Sequence, residues 1–321
     1  MSLPSSMRGL VFVPNDPDRV HLRGGLPMPT VKPGEILVQV AFATVNAHEF
    51  DTAQLLLTRI LLFLRGMRSP VRTGLEFSGV VVSDGETFHR GDRVMGYVDL
   101  VGGERPHAEY VAIPEAYLAA VPTEISLAAS ATLPMSGLTA LEALREVSAI
   151  QPGQTVLILG ASGGVGVLAV QVAKRLGATV TAVASAAHHD RLQALGATHT
   201  VDYRQVPISE MSGTFDAILD FSSTKRLREV KHLLASGGGF VPADPVQNIS
   251  DVLLRSQARY LFVDKGNTQR LNELASWVDE GRLTPVIDRQ FALNEWKQAV
   301  HRSHERGRMG RVVLSFMTTL P

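Results

Sequence analysis

The sequence has 321 residues, which is enough for about two domains. It is 45% hydrophobic and 19% charged, and its 31 basic and 31 acidic residues leave a formal net charge of zero. This balance indicates an ordinary globular protein and gives no sign of a nucleic-acid partner or of an anionic membrane surface as partner.

Cysteine is absent from the sequence. Disulfides, a thiolate nucleophile, iron–sulfur clusters and cysteine-ligated zinc are therefore excluded. A zinc site would have to use His, Asp and Glu, and the sequence contains no HExxH motif or similarly spaced pair of histidines. We therefore predict that the protein works without a bound metal.

The N-terminal residues lack the charged and apolar segments of a secretory signal, so we expect a cytoplasmic protein. The most apolar run, residues 55–64, is roughly half as long as a membrane-spanning helix. We expect it to pack on the core or to form a helical lid beside an apolar cleft.

From about residue 8 to 120, short β-like runs alternate with turns rich in Pro, Gly and Asp. The predicted strands are residues 9–13, 35–45, 77–82, 93–97 and 108–113. This rhythm is typical of a small, strongly bent sheet or barrel.

From about residue 123 to 262, predicted strands and helices alternate, which favours a parallel, doubly wound α/β sheet. The predicted strands are 155–159, 179–184, 199–202 and 217–220, and the predicted helices are 127–131, 137–148, 164–176 and 188–195. Two helices, 267–280 and 293–306, and a last strand, 310–316, follow. Because these three elements are too few to form a domain alone, we expect the last strand to return to the first domain.

A glycine-rich turn, Gly160-Ala161-Ser162-Gly163-Gly164-Val165-Gly166, separates a buried strand from the helix that follows it. Gly160 and Gly163 permit a tight turn and a close approach of the backbone to a pyrophosphate, and Gly166 leaves room for helix–strand packing. The start of the helix directs its free N–H groups toward the phosphates. In this strand–turn–helix context, the motif predicts a dinucleotide cofactor.

The end of the next strand indicates which dinucleotide binds. NAD sites usually have an acidic residue there, which binds the ribose 2′-hydroxyl. This chain has Ser185 at that position, and its first carboxylate comes only at Asp190. The basic side chains nearby are His188, His189 and Arg191. A hydroxyl group and basic residues suit a 2′-phosphate, so the sequence predicts NADPH.

Nine segments in order match one family, and together they cover essentially the whole chain. They are residues 32–38, 44–46, 74–81, 91–96, 108–111, 133–140, the glycine-rich turn, 215–220 and 307–314. Through them the chain resembles the zinc-free, quinone-oxidoreductase-like branch of the medium-chain dehydrogenase/reductase superfamily. The Gly-His-Glu segment and the cysteine-rich lobe that hold metal in zinc-dependent relatives are missing here.

The resemblance implies an α/β protein with two domains. A Rossmann doubly wound parallel sheet would occupy residues 122–266, and a GroES-like β-barrel catalytic domain would occupy residues 1–121 and 267–321. The resemblance also implies hydride transfer from NADPH to a small apolar quinone or to the double bond of an α,β-unsaturated carbonyl. It implies a homodimer that pairs through its Rossmann sheets.

The resemblance further implies roles for individual residues. Asn46 and Thr139 would lie near the nicotinamide, and the segments Phe240-Val241 and Phe262-Val263 would run past its carboxamide. Ser185 and Tyr203 would flank the 2′-phosphate, and His188 or Arg191 would supply the charge because the usual basic position is Ala187. The predicted pyrophosphate site is formed by Gly160, Ser162, Gly163, Gly164, Val165 and Gly166.

Reduction of a conjugated enone produces an enolate, which needs a hydrogen-bond donor or a proton. The candidate donors are Asp51, His48, Tyr97, His107 and water, and we predict Asn46, Asp51 and Tyr97 as the catalytic residues. Family members with enoyl-thioester reductase activity carry a tyrosine downstream of the asparagine. No tyrosine occurs between Asn46 and Tyr97 here, which argues against that activity.

Two other functions remain open from the sequence. A zinc-free alcohol or ketone dehydrogenase would require a proton relay that the sequence does not reveal. A cofactor-binding protein with little turnover would need no proton donor at all.

Overall fold

The computed structural model of the chain describes residues 3–13, 20–46, 49, 71–99, 104–243 and 248–317. The predicted apolar lid at residues 55–64 lies outside the described residues. The strands are β1 (Ser6–Phe12), β2 (Val20–Pro27), β3 (Glu35–Val45), β4 (Val71–Arg72), β5 (Glu76–Val81), β6 (Arg93–Tyr97), β7 (Tyr110–Pro114), β8 (Leu118–Ala120), β9 (Thr155–Leu159), β10 (Thr179–Ala184), β11 (His199–Asp202), β12 (Phe215–Asp220), β13 (Leu234–Pro242), β14 (Ile287–Ala292) and β15 (Arg311–Ser315).

The helices of the described residues follow the parallel strands or pack against them. They are α1 (Leu127–Ser130), α2 (Pro134–Leu141), α3 (Gly164–Arg175), α4 (His189–Leu195), α5 (Leu227–Val230), α6 (Ile249–Leu254), α7 (Thr268–Asp279) and α8 (Trp296–His304). A π-helical segment, Glu142–Val147, continues α2.

Five parallel strands form the dinucleotide sheet, in the order β11-β10-β9-β12-β13. Its central strand, β9, is buried on both faces, and Val156, Leu157 and Ile158 are fully inaccessible to solvent. Strands covered on both faces read as continuous apolar runs, which is why the sequence revealed β9. The chain reverses direction across the sheet between β9 and β12, so a crevice opens at the carboxyl ends of these two strands.

The second large sheet has the order β14-β15-β3-β5-β6-β8, and β7 pairs with β3 as well. β15 runs antiparallel to β3, with Val312 opposite Val45. The chain therefore returns from the dinucleotide sheet to extend the sheet that began at β3. A smaller sheet, β2-β1-β4, lies beside it.

One apolar cluster continues from the dinucleotide sheet to the second large sheet. It contains Val156 of β9, Tyr97 of β6, and Leu271 and Leu274 of α7. The predicted domain boundaries at 121/122 and 266/267 remain a prediction, because the packing of α7 is shared between the two regions.

The predicted fold class is confirmed: a doubly wound parallel sheet is joined to a mostly antiparallel sheet. Several strands, among them β13 and β14, were not predicted from the sequence. β13 contains Gly237, Gly238 and Gly239, which resemble a loop in sequence. The predicted helix at 137–148 was wrong in extent and type, since α2 starts at Pro134 and gives way to π-helix at Glu142.

Candidate active site

The glycine-rich turn follows β9 and packs tightly against the helix that it opens. Gly160 adopts a φ of 71°, a left-handed conformation that favours glycine. A Cβ atom on Gly166 would lie 2.2 Å from the Gly160 carbonyl oxygen, so only glycine fits there. α3 begins after Gly163 without a side-chain cap, which leaves its first N–H groups available to an anion.

The other wall of the crevice follows β12. Asp220 is fully buried, and its carboxylate accepts hydrogen bonds from the backbone N–H groups of Ser222, Thr224 and Lys225, at 3.0, 3.1 and 2.8 Å. A Cβ atom on Gly160 would lie 2.8 Å from the Ser222 backbone nitrogen, so the two loops approach closely. The buried carboxylate thus fixes the loop that faces the glycine-rich turn.

Ser185 and Tyr203 follow paired positions at the carboxyl edge of the parallel sheet, and their predicted role beside a 2′-phosphate remains a prediction. The register pairs Ala184 of β10 with Asp202 of β11, so the residues that follow lie side by side. Ser185 is buried, whereas Tyr203 is exposed with the Arg204 guanidinium 5.6 Å from its ring centre. Arg191 is exposed on α4.

His188 connects this edge to the last part of the chain. One of its ring nitrogens, Nε2, lies 3.1 Å from the Gly307 carbonyl oxygen and donates a hydrogen bond to it. Three residues farther on, the backbone N–H of Gly310 donates to the Ser162 carbonyl at 2.8 Å. The segment 307–311 therefore runs along the dinucleotide site from β10 to the glycine-rich turn.

Arg311 extends from this segment across the start of α3. A Cβ atom on Gly164 would lie 2.3 Å from Arg311 Cδ, so the two residues are in direct contact. Arg311 Nε donates to Ser136 Oγ at 2.7 Å, and Nη1 donates to Asn46 Oδ1. The guanidinium thereby joins the glycine-rich turn to the end of β3.

Glu76 provides the negative charge beside Arg311. Its side chain is fully buried, and Oε1 lies 3.4 Å from Arg311 Nε. It also accepts hydrogen bonds from the Thr44 hydroxyl and the Met135 backbone N–H, at 2.8 and 2.9 Å. Burial raises the pKa of Glu76, but Arg311 and these donors oppose the rise. Because these partners are all donors, the ionised carboxylate suits the site.

The amide of Asn46 has one orientation. Arg311 can only donate hydrogen bonds, so Oδ1 must face it. Nδ2 then donates to Glu49 Oε1 and, at 3.4 Å, to Thr44 Oγ1. Asn46 is buried, and its hydrogen-bond partners leave its side chain little freedom to rotate.

His107 lies beneath this network and is fully buried. Its Nε2 lies 2.9 Å from the Thr44 carbonyl, which can only accept, so Nε2 carries the hydrogen. Nδ1 then accepts from the Thr73 hydroxyl at 2.8 Å. Burial lowers the pKa of His107 to about 4, so the ring is neutral at pH 7.

The predicted proton donors are placed differently by the structure. Asp51 and His48 lie outside the described residues. The Tyr97 hydroxyl is buried and donates to the Val263 carbonyl at 2.8 Å, and burial raises its pKa. A neutral, buried His107 does not supply a proton readily at pH 7. The catalytic roles of Asn46, Asp51 and Tyr97 remain predictions.

The other residues predicted beside the nicotinamide are Thr139, Phe240, Val241, Phe262 and Val263. The Thr139 hydroxyl donates to the Met135 carbonyl at 2.7 Å within α2. Phe240 and Val241 are fully buried in β13, so their side chains face the core. Phe262 is exposed, and Val263 is held by Tyr97. Their contacts with a nicotinamide remain predictions.

Three residues of the network were missed by the sequence analysis: Glu49, Glu76 and Arg311. Glu76 carried a usable signal, because a carboxylate in an otherwise apolar strand points to a buried ionic partner. Arg311 directly follows Gly310 in a segment that matched the family. Its partner Asn46 lies 265 positions away in the chain, so no local pattern indicated their contact.

Within the described ranges, no group of three or more His, Asp or Glu side chains is arranged to hold a metal ion. No helix among these described residues is long and apolar enough to cross a membrane.

Comparison with known families agrees with this geometry. Residues 32–123 match the family described as alcohol dehydrogenase GroES-like domain, and residues 195–314 match the family described as zinc-binding dehydrogenase. The second family is named for a metal, yet this chain has no cysteine.

Several relatives cover most of the chain. A 2-methylene-furan-3-one reductase from Solanum lycopersicum is 29% identical over 90% of this chain and 73% of its own length. An NADPH-dependent alkenal/one oxidoreductase from Arabidopsis thaliana, described as chloroplastic, is 28% identical over 89% of this chain and 73% of its own length. The solved structure of the quinone oxidoreductase from Coxiella burnetii is 28% identical, covers 97% of this chain and 100% of its own, and gives a TM-score of 0.83.

The two family matches, these relatives and the shared fold all agree with the motifs identified in the sequence. The chain therefore belongs to the medium-chain dehydrogenase/reductase superfamily and is an oxidoreductase that uses a nicotinamide cofactor.

Proposed function

We propose that this protein is an NADPH-dependent reductase that transfers hydride, without a metal, to a quinone or to the double bond of an α,β-unsaturated carbonyl. The observation that carries the proposal is Arg311, which joins the glycine-rich turn to Asn46. The phosphate-binding part of a dinucleotide and the residue predicted beside its nicotinamide thus belong to one cleft.

The residues present fit a dinucleotide. The Gly160–Gly166 contact leaves no room for a Cβ atom, and the start of α3 is uncapped. Arg311 Nη2 is buried and has no hydrogen-bond partner among the described residues. A buried, unpaired guanidinium nitrogen is costly, and a phosphate oxygen beside α3 would satisfy it.

The support for NADPH over NADH comes from the end of β10. Ser185 stands where an NAD site has a carboxylate, and Arg191 provides positive charge on the adjoining helix. The relative from Arabidopsis thaliana is named as NADPH-dependent. The His188 ring is hydrogen-bonded to the Gly307 carbonyl, so Arg191 is the better placed of the two predicted basic residues to bind a 2′-phosphate.

NADPH, when bound, supplies the hydride that reduces the substrate. The protein's part is to hold the reacting carbon about 3–3.5 Å from the donor and to exclude water. Asn46 is suited to positioning because three neighbours, Arg311, Glu49 and Thr44, fix its amide. Quinones need little acid assistance, and we expect water to protonate the enolate when the substrate is an enone.

A substrate panel tests this proposal. Protein is mixed with NADPH or NADH and a series of quinones and enones, and cofactor oxidation is followed by absorbance. We expect NADPH oxidation with at least one quinone or enone, at a higher kcat/KM than with NADH. Tight NADPH binding without oxidation by any acceptor would instead indicate a cofactor-binding protein with little turnover.

A matched pair of variants links the activity to the site. Asn46→Ala removes the oriented amide, and we expect kcat to fall roughly 10- to 100-fold, the range for a lost positioning contact. Asn294→Ala changes an exposed asparagine near α8 and should leave kcat unchanged. Equal activity of both variants would contradict the role of Asn46.

We also propose a cytoplasmic homodimer. β13 ends the order of the parallel sheet, and residues 257–259 form a short parallel bridge with it at Phe240. Exposed apolar side chains lie in the neighbouring segments: Leu253, Leu254, Tyr260 and Phe262. Leu254→Asp should yield a monomer by light scattering if this face pairs with a second copy.

A further inference from the structure

Glu49 is hydrogen-bonded to Asn46, and the proposed reaction assigns no role to Glu49. Its backbone N–H donates to the Asn46 carbonyl at 3.1 Å, and its Oε1 accepts from Asn46 Nδ2. The side chain is only 6% exposed. Among the described residues, Oε2 has no hydrogen-bond partner, and it lies 3.9 Å from His107 Nδ1.

The surroundings of Glu49 favour a protonated carboxyl. Its Oε2 is buried and receives no hydrogen bond from the described residues, and a buried carboxylate oxygen without a donor is costly to ionise. Burial raises the pKa of Glu49 to about 8. The hydrogen bond from Asn46 and the positive charges of Arg105 and Arg311 oppose this rise.

None of the other described charged or titratable groups around Glu49 favours its ionised form enough to remove its proton at pH 7. Glu76 of β5 adds negative charge, which raises the Glu49 pKa further. Tyr97 of β6 is neutral, with its hydroxyl bonded to Val263. At pH 7 the network therefore has Arg311 positive, Glu76 negative and Glu49 neutral, so Arg311 faces one carboxylate rather than two.

We propose that Glu49 is a positioning residue of the cofactor site: in its protonated form it holds Asn46 while leaving the positive charge of Arg311 available to the cofactor pyrophosphate. The inference rests on the proposed function in taking the glycine-rich turn and Arg311 as the pyrophosphate site. It does not depend on the identity of the substrate.

Cofactor binding should favour the protonated form of Glu49, so affinity should fall as pH rises through the Glu49 pKa. When Glu49 ionises above about pH 8, a second carboxylate lies one amide away from Arg311. Cofactor affinity should then fall roughly tenfold, as expected for one added unit charge about 8 Å away at an effective dielectric of about 30. By linkage, binding raises the Glu49 pKa by about one unit, so binding at pH 8 takes up roughly 0.4 proton.

Isothermal titration calorimetry in two buffers of different ionisation enthalpy measures this uptake directly. NADPH and ADP-ribose, which share the pyrophosphate, are titrated into the wild-type protein at pH 6.5, 8 and 9.5. We expect proton uptake at pH 8 with both ligands and weaker binding at pH 9.5. Adenosine 2′-monophosphate, which lacks the pyrophosphate, should bind without uptake.

Glu49→Gln is the specific variant, because a glutamine amide imitates the protonated acid. Its oxygen can accept from Asn46 as Glu49 Oε1 does, and its NH₂ group carries no charge at any pH tested. We expect affinity within about threefold of the wild type at pH 6.5, no proton uptake and no loss of affinity up to pH 9.5. Glu109→Gln, which alters a carboxylate paired with Arg8 instead of with Asn46, should keep the wild-type uptake.

The outcomes separate the two proposals. Wild-type binding of both ligands without proton uptake at pH 8 would overturn the role of Glu49 and leave the cofactor site intact. Unchanged uptake in Glu49→Gln would assign the proton to another group and would also overturn it. If neither NADPH nor ADP-ribose binds at any pH, the proposed function fails, and the inference about Glu49 fails with it.

Discussion

Replacing Gly166 with alanine tests the contact on which the dinucleotide site is built. The new Cβ atom would lie 2.2 Å from the Gly160 carbonyl oxygen and 2.8 Å from Ala161 Cα. Both are backbone atoms, and ordinary contacts begin at 3.4 Å. The turn and α3 must therefore separate by about 1.2 Å, because no side chain can rotate away.

The expected cost follows from this displacement. Overpacking in a close-packed region destabilises by about 1–3 kcal/mol, and the better helix propensity of alanine returns up to about 1 kcal/mol. We expect the free energy of unfolding to fall by about 1–2 kcal/mol. The displaced N–H groups of α3 should weaken NADPH binding at least roughly tenfold, since hydrogen bonds to charged groups contribute about 1.5–3 kcal/mol.

Two measurements are needed: denaturant unfolding without cofactor, and a fluorescence titration with NADPH. Gly24→Ala is the control, because its Cβ atom would meet nothing closer than Arg8 Cγ at 3.9 Å. It should change neither quantity appreciably. Unchanged unfolding of Gly166→Ala would refute the close packing of the turn. Unchanged NADPH affinity, with reduced stability, would refute the assignment of the turn to the cofactor.

Three other substitutions test separate parts of the site. Ser185→Asp places a carboxylate beside the 2′-phosphate, so the Kd for NADPH should rise at least roughly tenfold while that for NADH does not rise; equal losses would contradict the NADPH proposal. Tyr97→Phe leaves the Val263 carbonyl unpaired, so we expect a loss of about 1–2 kcal/mol of unfolding free energy with kcat retained within about threefold. A hundredfold loss of enone reduction would instead identify Tyr97 as the proton donor. The pKa of Glu49 is about 8 in the folded protein and 4.5 for the free side chain, so the folded state binds more protons between these pH values. The free energy of unfolding of the wild type should therefore fall as pH rises from about 4.5 to 8. In Glu49→Gln the total fall in unfolding free energy over this interval should be smaller by up to about 4 kcal/mol. Parallel curves of unfolding free energy against pH for the two proteins would contradict the shifted pKa.

The proposed chemistry depends on how few groups in the described cleft, apart from Glu49, can exchange a proton at neutral pH. Tyr97 and His107 both have their hydrogens committed to backbone carbonyls, and burial shifts the pKa of each away from neutrality. A cleft of this kind suits acceptors that need hydride more than acid, such as quinones. The substrate panel described above tests that preference directly.

The sequence alone determined the features that depend on short stretches of chain. β9, β10 and α3 were predicted closely because buried parallel strands are continuous apolar runs and because the glycine-rich turn marks where one ends and the helix begins. The position of Ser185 after β10 was likewise readable, since it depends on a fixed offset from the turn. Nine ordered segments were sufficient to indicate the family.

The tertiary structure decided which residues meet. Arg311 reaches Asn46 because β15 pairs antiparallel with β3, and Glu76 joins them because β5 lies on the other side of β3. No local pattern encodes that pairing, because strand register is set by burial and by contacts between distant parts of the chain. The proton on Glu49 arises in the same way: an acidic residue in sequence becomes neutral at pH 7 only because folding buries it between Asn46 and His107.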